Sequence, residues 1–435
     1  MLSYLRGVLS ASFSSRSEEI ESLRRIKSRG DRVDALTALV GDVFVESALR
    51  YLDDTLVFFD SHSYVPVRER DLLTVARSVL MGLGVSPTDL RTMGAMPLDV
   101  LSFTSGRSDS SLLCFLNCVY DLSSDEMKGF SPSLLVTERL PYKFVPGSPC
   151  PRWEAFLKWA IPEDGERLAL QEFAGLAFID RSVLSVEKFA VLVGSGANGK
   201  SVFTRVVTAA LGEDRVSTLD PQQLCSEKMV PYLRGMRMNV SPDVRASASF
   251  DSALKALASG QAITGRRIYG DAEKIQCPPI LFALNEMPFF RDTTEGFFRR
   301  LLIFRFERTV APERQDRLLA SKIIREELPG VMWWILEGRA RLIEHGGEFT
   351  HSDSMDDALS QAKGLPSGVS QHLSDWLDDH VYSVTSGNPV RVSANEVFDG
   401  LHGLMTKSAV TREMARLGVE CRRSGDGMHY CLFEK

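Results

Sequence analysis

The sequence predicts a mixed α/β fold with a helical amino-terminal region, an α/β core and a small carboxy-terminal module. Apolar residues recur at helical spacing in the first part of the chain, with one strand pair expected over residues 56–67. Short apolar runs then alternate with amphipathic stretches, which is typical of an α/β domain. A Gly- and Pro-containing break at residues 364–370 ends this alternation.

These changes divide the chain into four predicted parts. Residues 1–110 form a mostly helical domain, and residues 111–180 form a linker with a helical collar. Residues 181–365 form the α/β core, and residues 366–435 form the carboxy-terminal module. Within the second part, residues 112–122 read as a buried strand, residues 140–153 as a linker rich in Pro and Gly, and the stretch from Trp153 as helical.

Composition limits the classes of protein that this chain can be. Its 435 residues suffice for two or three domains of roughly 150 residues each. The net charge of −6 excludes a basic field over the whole surface, so any contact with nucleic acid must come from local basic elements. No apolar run reaches the ~18 residues of a membrane span, and seven scattered cysteines show no metal or disulfide spacing. We expect a cytoplasmic protein.

The segment after residue 188 contains a phosphate-binding pattern. A short apolar run, Phe189–Val193, precedes a glycine-rich loop, and an amphipathic helix from Val202 to Leu211 follows. This order of strand, loop and helix is the context that the motif G-x-x-x-x-G-K-[ST] requires. The matching residues are Gly194, Ser195, Gly196, Ala197, Asn198, Gly199, Lys200 and Ser201.

Each residue type in this loop has a chemical role in binding a nucleotide phosphate. Glycines allow the backbone to approach phosphates closely, and the amides at the start of the helix attract anions. Lys200 can reach the β and γ phosphates, while the Ser201 hydroxyl can bind Mg²⁺. The loop therefore predicts ATP and Mg²⁺ as cofactors, although a P-loop alone also occurs in kinases and GTPases.

Three later segments narrow the choice among P-loop proteins. Asp243 ends a strand-like run that Asn239 interrupts, and a carboxylate there can hold Mg²⁺ or orient the attacking water. Asn285 follows the apolar run Ile280–Leu284, where its amide can contact the γ-phosphate or the lytic water. Arg299 and Arg300 precede another apolar run, and arginine stabilises charge on a transferring phosphoryl group, often from a neighbouring subunit. Of the two, we expect Arg300 rather than Arg299 to act in this way.

A candidate β-hairpin lies between Asp243 and Asn285. Its arms cover residues 263–268 and 273–277, around a Tyr-Gly-Asp turn. The cations Arg266, Arg267 and Lys274, together with Tyr269 at the tip, combine phosphate contacts with base stacking, which is the chemistry of single-strand binding. An exposed hairpin without a ligand is the alternative interpretation.

The order of these elements within residues 194–300 resembles that of superfamily 3 helicases. Similar segments are GSGANGKS, ITGRRIYGD, ALNEMP and GFFRRLLIFRF, and the nearest resemblance is to phage and plasmid primase–helicases and the carboxy-terminal half of the poxvirus primase–helicase. The hairpin also lines up without a gap with the papillomavirus replicative helicase, whose tip falls at Ile268 and Tyr269. The resemblance covers residues 110–365.

This resemblance implies an AAA+-like core and a ring, usually a hexamer, that hydrolyses ATP between subunits. It implies movement 3′ to 5′ on single-stranded and forked DNA. Two departures stand out: many members have two acidic residues where this chain has Asp243 alone, and the tip lacks the viral Lys-His pair. No primase motif precedes the core, so a separate primase or initiator is a further expected partner.

The carboxy-terminal module reads as a winged helix. Two helical segments, at residues 392–401 and 406–419, precede a hairpin whose turn contains Gly425, Asp426 and Gly427. Its local cations are Lys407, Arg412, Arg416, Arg422 and Arg423. Such a module binds duplex DNA with its second helix, or packs on a neighbour instead.

Two other functions remain open on the sequence. An ATP-dependent switch could assemble at a replication origin without unwinding it, and the single acidic residue favours this alternative. A small-molecule or nucleoside kinase is the second alternative, which the series of Asn285, Arg299 and Arg300 disfavours.

Overall fold

The computed structural model divides the chain into two units, Met1–Pro146 and Gly147–Lys435, each with its own internal packing. The structure describes residues 1–102, 106–244, 253–266, 271–287, 294–311, 313, 315–364, 373, 376–380, 382–383, 388–401, 410–411, 414, 419–424 and 427–434. None of the described helices is both long enough and apolar enough to cross a membrane.

The amino-terminal unit is mostly helical, as the spacing of apolar residues predicts. Its helices are α1 (Leu2–Ser15), α2 (Ser17–Leu23), α3 (Arg29–Glu46), α4 (Glu69–Gly82), α5 (Pro87–Met93) and α6 (Asp99–Ser102), with a 3-10 turn at Met96–Leu98. In α1 the buried residues Leu5, Leu9 and Phe13 recur every four positions, so one face of the helix enters the core.

Two small antiparallel sheets complete this unit. Their strands are β1 (Leu49–Leu52), β2 (Thr55–Phe59), β3 (Tyr64–Pro66), β4 (Leu112–Cys114), β5 (Val119–Asp121) and β6 (Glu126–Lys128), paired in the orders β1-β2-β3 and β4-β5-β6. The strand pair expected over 56–67 is confirmed. The single strand expected over 112–122 is wrong, because the chain turns between β4 and β5. Asn117 holds this turn through hydrogen bonds to the amide and carbonyl of Phe144.

The second unit contains the α/β core. Its strands are β7 (Phe189–Val193), β8 (Val216–Ser217), β9 (Met238–Val244), β10 (Ala262–Arg266), β11 (Ala272–Gln276), β12 (Ile280–Leu284) and β13 (Leu301–Arg305). Five of them form one sheet in the order β13-β7-β12-β9-β8, with every neighbouring pair parallel. The central strands β7 and β12 are apolar throughout, as expected for strands covered on both faces.

Helices surround this sheet. They are α7 (Pro151–Ala160), α8 (Asp164–Gly175), α9 (Lys200–Leu211), α10 (Pro221–Leu224), α11 (Ala253–Ala258), α12 (Glu295–Phe298), α13 (Leu319–Glu326), α14 (Leu328–Glu344) and α15 (Asp353–Gly364), with 3-10 turns at Leu176–Phe178, Glu213–Arg215 and Val230–Leu233. Helices α8 and α14 approach closely because glycines lie at the contact: a Cβ on Gly338 would lie 2.2 Å from the Gln171 carbonyl oxygen. Buried Glu172 then accepts hydrogen bonds from Arg341 and from the amide of Thr350.

The carboxy-terminal module contains the strands β14 (Tyr382–Ser383), β15 (Asn388–Ser393), β16 (Cys421–Ser424) and β17 (Gly427–Glu434), and a helix over Ala394–Gly400. Strand β17 pairs with the other three, antiparallel in each case. Trp376, Val397, Leu401 and Tyr430 contribute to a separate core. Most of the second expected helix lies outside the described residues, so the winged-helix assignment stays a prediction.

Candidate functional site

The loop between β7 and α9 adopts a conformation that glycine makes possible. Gly196 and Gly199 have φ of +102° and +94°, the region that other residues adopt rarely. A Cβ at Gly194 would lie 2.2 Å from the Phe306 carbonyl oxygen, so this position requires glycine for space. Helix α9 begins at Lys200, and its first amides are therefore directed at the loop.

Lys200 is buried in this loop, although its side chain carries an ammonium group. Its Nζ donates hydrogen bonds to the Gly194 carbonyl oxygen and, at 3.1 Å, to Asn198 Oδ1. Burial lowers the pKa of Lys200, and the negative charge of Asp243 partly opposes that shift. The ammonium is thus held by two oxygens of its own loop.

Asn198 is a part of this site that the sequence motif does not specify. It is 2% exposed, and its Nδ2 has no hydrogen-bond partner among the residues that the structure describes. Its Oδ1 is the second partner of Lys200. Ser201, by contrast, is exposed in the first turn of α9, where its hydroxyl is accessible to a ligand.

Asp243 lies within β9, at an irregularity of the sheet. Ser241 pairs with Phe282 and Val244 with Leu284, so two residues of β9 face one residue of β12. This bulge accommodates Pro242, which has no amide hydrogen for a regular ladder, and leaves Asp243 exposed.

The expectation that Asn239 interrupts this strand is wrong. Asn239 is fully buried in β9, where its Oδ1 accepts from the Leu219 amide and its Nδ2 donates to the Leu219 carbonyl. Both polar atoms of the Asn239 side-chain amide are therefore hydrogen-bonded, so burying this residue costs little free energy.

Asn285 follows β12 and is exposed. The amide of Gly194 donates to the carbonyl of Leu284 at 3.2 Å, which joins the start of the loop to the end of that strand. Because all five strands are parallel, the loop, Asp243 and Asn285 lie at the carboxyl edge of the sheet. Ligands of open α/β sheets bind at this edge.

Arg299 and Arg300 lie at the opposite edge. They precede β13, whose first residue, Leu301, pairs with Phe189 at the start of β7. Arg300 is mostly buried and bonds Glu187 at 2.6 Å and the Gly296 carbonyl, whereas the Arg299 side chain is 61% exposed. Five residues of strand separate these arginines from the glycine-rich loop, which corresponds to about 16 Å.

The expected hairpin is present as the antiparallel pair β10 and β11. Arg266 and Lys274 are exposed on its arms, while Arg267, Ile268 and Tyr269 lie outside the described residues. Of the basic residues in the carboxy-terminal module, Arg422 and Arg423 are exposed on β16 and Arg422 pairs with Glu420, whereas Lys407, Arg412 and Arg416 lie outside the described residues.

The hairpin packs on a neighbouring segment that sequence reasoning missed. A Cβ at Gly265 would lie 2.8 Å from Val230, and the Arg266 amide donates to the Glu227 carbonyl. On this segment Tyr232 is 64% exposed, and the same stretch contains exposed Lys228 and Arg234, which pairs with Glu273. The signal in the sequence is an aromatic residue among cations, in the stretch from residue 228 to 234.

The base of the hairpin is held by a buried arginine. Arg181 donates to the carbonyls of Val186, Ala258 and Cys277, three segments that meet where β7, α11 and β11 begin or end. Burial lowers the pKa of this guanidinium. Among the described residues, no group of three or more His, Cys, Asp or Glu side chains is arranged to hold a metal ion by protein ligands alone.

Comparison with known proteins gives partial matches. Residues 89–162 match the family described as D5 N terminal like, and residues 192–300 match a family of unknown function, DUF5906. The second match contains Lys200, Asp243, Asn285 and both arginines. A protein of Acanthamoeba polyphaga mimivirus that carries the name helicase L207/L206 is 25% identical over 237 residues, covering 51% of this chain and 24% of that protein. The chain thus spans about a quarter of that relative's length.

Two solved structures of the apo C-terminal region of NrS-1 are also similar. Each is 11% identical to this chain and covers 91% of it and 98% of the solved chain, with TM-scores of 0.47 and 0.43. Scores of this size do not define a shared fold. The sequence matches relate the chain to a helicase-named viral protein and, over residues 89–162, to the family described as D5 N terminal like.

Proposed function

We propose that this chain is an ATP-dependent DNA helicase of the superfamily 3 type, which acts in the replication of a phage, plasmid, virus or other mobile element in the host cytoplasm. One observation carries the proposal: the phosphate loop, Asp243 and Asn285 lie at one edge of an all-parallel sheet. A glycine-rich loop that leads into a helix amino terminus is a site for nucleotide phosphates. The match to a helicase-named viral protein supports this class of activity.

The residues of this edge have separate tasks in ATP hydrolysis. Lys200 exchanges its two loop oxygens for oxygens of the β and γ phosphates. Ser201 and Asp243 offer hydroxyl and carboxylate oxygens, the hard donors that Mg²⁺ prefers alongside phosphate. Bound Mg²⁺ supplies neutralisation of the phosphate charge. Asn285 orients the γ-phosphate or the attacking water, and Asp243 is the candidate to align that water.

The arginines act on a nucleotide held by another copy of the chain. Arg299 and Arg300 lie about 16 Å of strand length away from their own phosphate loop, which is further than an arginine side chain reaches. In a closed ring, the amino edge of one copy can face the carboxyl edge of the next. A hexamer is the assembly that the helicase resemblance implies. Arg299 is the better placed of the two, because its guanidinium is mostly exposed.

DNA contacts come from the hairpin and the segment beside it. Arg266, Lys274 and Lys228 offer cations to phosphates, and exposed Tyr232 offers a ring on which a base can stack. We assign Arg267 and Tyr269 to the same surface from the sequence. The proposal has three further parts. The protein moves 3′ to 5′ on single-stranded or forked DNA, its winged helix contacts the duplex, and a separate primase or initiator acts with it.

The second candidate is an origin-binding switch that binds ATP without unwinding DNA. It is favoured by Asp243 being a single exposed carboxylate at a bulge, where many helicases have two acidic residues. ATP turnover with and without single-stranded DNA, and unwinding of forked duplexes tailed at either end, separate the two. The helicase proposal requires DNA-stimulated turnover and unwinding that depends on a 3′ tail. Stable DNA binding with ATP but no unwinding of either fork would favour the switch.

A further inference from the structure

Helix α7 brings a tryptophan to the end of the glycine-rich loop. The rings of Phe156 and Trp159 lie against Gly199, because a Cβ on that glycine would be 2.5 Å from Phe156 Cε2 and 3.7 Å from Trp159 Cζ3. Phe156 is buried, whereas Trp159 is partly exposed. The helix is fixed at its beginning, since buried Glu327 accepts hydrogen bonds from two amides of its first turn. An anchored helix therefore holds a partly exposed ring against the loop.

The faces of α9 show on which side of the loop this tryptophan lies. Phe203 packs its ring on that of Phe306, which follows β13, with 6.2 Å between the centroids. A different face of the helix, with Thr204, lines a cavity beside Pro242 of β9. Gly199 lies four residues before Phe203, so it is on the face that is directed at the end of β13. The tryptophan that contacts Gly199 is therefore on the β13 side of the loop, away from β9.

The order of the strands indicates which part of a nucleotide would reach that side. In the sheet β13-β7-β12-β9-β8, Asp243 of β9 and Asn285 after β12 lie on one side of β7, and β13 lies on the other. The proposed function puts Mg²⁺ and the γ-phosphate beside Asp243 and Asn285. A nucleotide held through its phosphates by the loop after β7 then extends with its nucleoside towards β13, the side on which Trp159 lies.

The segment that follows β13 borders the same side of the loop. It is joined to the loop at two points, since the Phe306 amide donates to the Val193 carbonyl at 2.8 Å and the Val310 amide donates to the Ala197 carbonyl at 3.1 Å. The residues between these points, 307–309, are polar and exposed. This side of the loop thus offers an aromatic ring together with a few polar groups, a combination that is typical of sites for small molecules.

We propose that Trp159 stacks on the purine base of the bound nucleotide and so forms the nucleoside part of the site. Stacking on an aromatic side chain stabilises a base whatever its identity, because every base has a flat π-face. Trp159 therefore contributes to the affinity for any purine nucleoside triphosphate and does not distinguish adenine from guanine. This inference rests on the proposed function, which supplies the direction in which the nucleotide lies.

The test compares ligands with and without a base. Isothermal titration calorimetry with Mg²⁺ measures the affinity of the full chain for the β,γ-imido analogues of ATP and GTP and for inorganic tripolyphosphate, which has the phosphates alone. Trp159→Ala should bind both analogues about tenfold more weakly than the wild type does. It should bind tripolyphosphate equally well, because the ring contacts only the base. Trp159→Phe keeps an aromatic face and should retain most of the affinity for the analogues.

Two controls separate the base contact from the integrity of the loop. Lys158→Ala changes the preceding, exposed residue of α7 and should bind all three ligands as the wild type does. Lys200→Ala should lose affinity for tripolyphosphate as well as for both analogues, because it removes the cation that binds phosphate. Fluorescence gives an independent readout, since a stacked base quenches the emission of an indole. The quenching that the ATP analogue causes in the wild type should be absent in Trp159→Phe.

Several results would contradict a stacking role. The proposal fails if Trp159→Ala binds the ATP analogue as tightly as the wild type does. Equal losses for the analogue and for tripolyphosphate would show that the ring supports the loop and does not contact the base. A loss for the ATP analogue alone, with GTP analogue binding unchanged, would show recognition of the base edge instead of stacking. These results leave the proposed function intact, whereas a wild-type chain that binds neither tripolyphosphate nor the analogues would overturn both.

Discussion

The two edges of the parallel sheet differ in how far their functional side chains are engaged within the chain. At the carboxyl edge, buried Lys200 and Asn198 hydrogen-bond to each other within the glycine-rich loop that leads into α9. At the amino edge, Arg299 is 61% exposed, and its contact with Glu187 at 3.4 Å is a surface ion pair worth about 0–1 kcal/mol. The Lys200–Asn198 pair is thus fixed within its own loop, whereas Arg299 at the other edge is accessible and has only a weak contact within the chain.

Under the proposed function, one chain therefore contains all the groups for ATP hydrolysis without forming a complete site. Groups at opposite edges of a parallel sheet cannot meet in the same molecule, because the strands keep them apart. They can meet when two copies associate. The comparison therefore predicts unequal effects of substitutions at the two edges.

The largest effect is expected at the carboxyl edge. Lys200→Ala removes the only cation of the phosphate loop, so ATP turnover should fall to background and nucleotide affinity should fall with it. Removing one preorganised electrostatic contact costs on the order of a hundredfold to a thousandfold in turnover, and the loss of nucleotide affinity makes the combined effect larger than that of any other substitution below. Exposed Lys158, on α7, provides a matched control, and Lys158→Ala should turn over ATP as the wild type does. Normal turnover of Lys200→Ala would show that the loop is not the phosphate site.

The next effect is expected at the amino edge. Arg299→Ala should lower turnover on the order of a thousandfold, as for other arginines that act across subunits, with unchanged nucleotide affinity and unfolding temperature. Arg300→Ala should lower the unfolding temperature, because it removes the hydrogen bonds that this mostly buried guanidinium donates to Glu187 and to the Gly296 carbonyl. Loss of turnover in Arg300→Ala alone, with normal stability, would instead assign the catalytic contact to Arg300, the residue that the sequence favours.

A third set of substitutions, in the hairpin, should affect DNA binding and leave both edges of the sheet intact. Replacing Arg266, Arg267 and Lys274 by alanine should preserve basal ATP turnover and abolish stimulation by DNA and unwinding. The dependence of single-strand binding on salt should flatten by a slope of roughly 0.7 for each phosphate that the protein no longer neutralises. Tyr232→Ala should weaken binding further without changing that slope, since stacking contributes ~1–3 kcal/mol per base. Normal unwinding by the triple variant would show that the hairpin does not contact the DNA during unwinding.

The smallest effect near neutral pH concerns the buried ammonium itself. Burial lowers the pKa of Lys200 in the free loop, whereas bound phosphate favours the protonated form. Nucleotide affinity should therefore be constant below that lowered pKa and fall by up to about tenfold per pH unit above it. Lys200→Arg keeps its charge at every accessible pH and should remove this decline. An identical decline in both proteins would place the titrating group elsewhere.

The sequence predicts well what local pattern determines. The apolar runs of β7 and β12, the glycines between β7 and α9, and the arms of the hairpin all follow from residue types within a few positions. Pro242 also signals irregular pairing, because a proline inside a buried strand requires a bulge or an edge.

Features that depend on residues far apart in the sequence cannot be predicted from local patterns. Asn239 looks like an interruption until Leu219, from another part of the chain, satisfies its amide. Asn117 breaks a predicted strand by bonding the backbone of Phe144. The unequal exposure of the two adjacent arginines also cannot be predicted from the sequence, since it depends on the contacts that Arg300 makes with Glu187 and the Gly296 carbonyl.

The most direct test of the shared site is a mixture of two inactive proteins. Lys200→Ala lacks a working carboxyl edge and Arg299→Ala lacks a working amino edge, yet a mixed ring contains interfaces at which both edges are intact. ATP turnover should therefore reappear when the two variants are combined under conditions where native mass measurement shows mixed assemblies. Mixed assemblies that remain as inactive as either variant alone would contradict a site shared between chains.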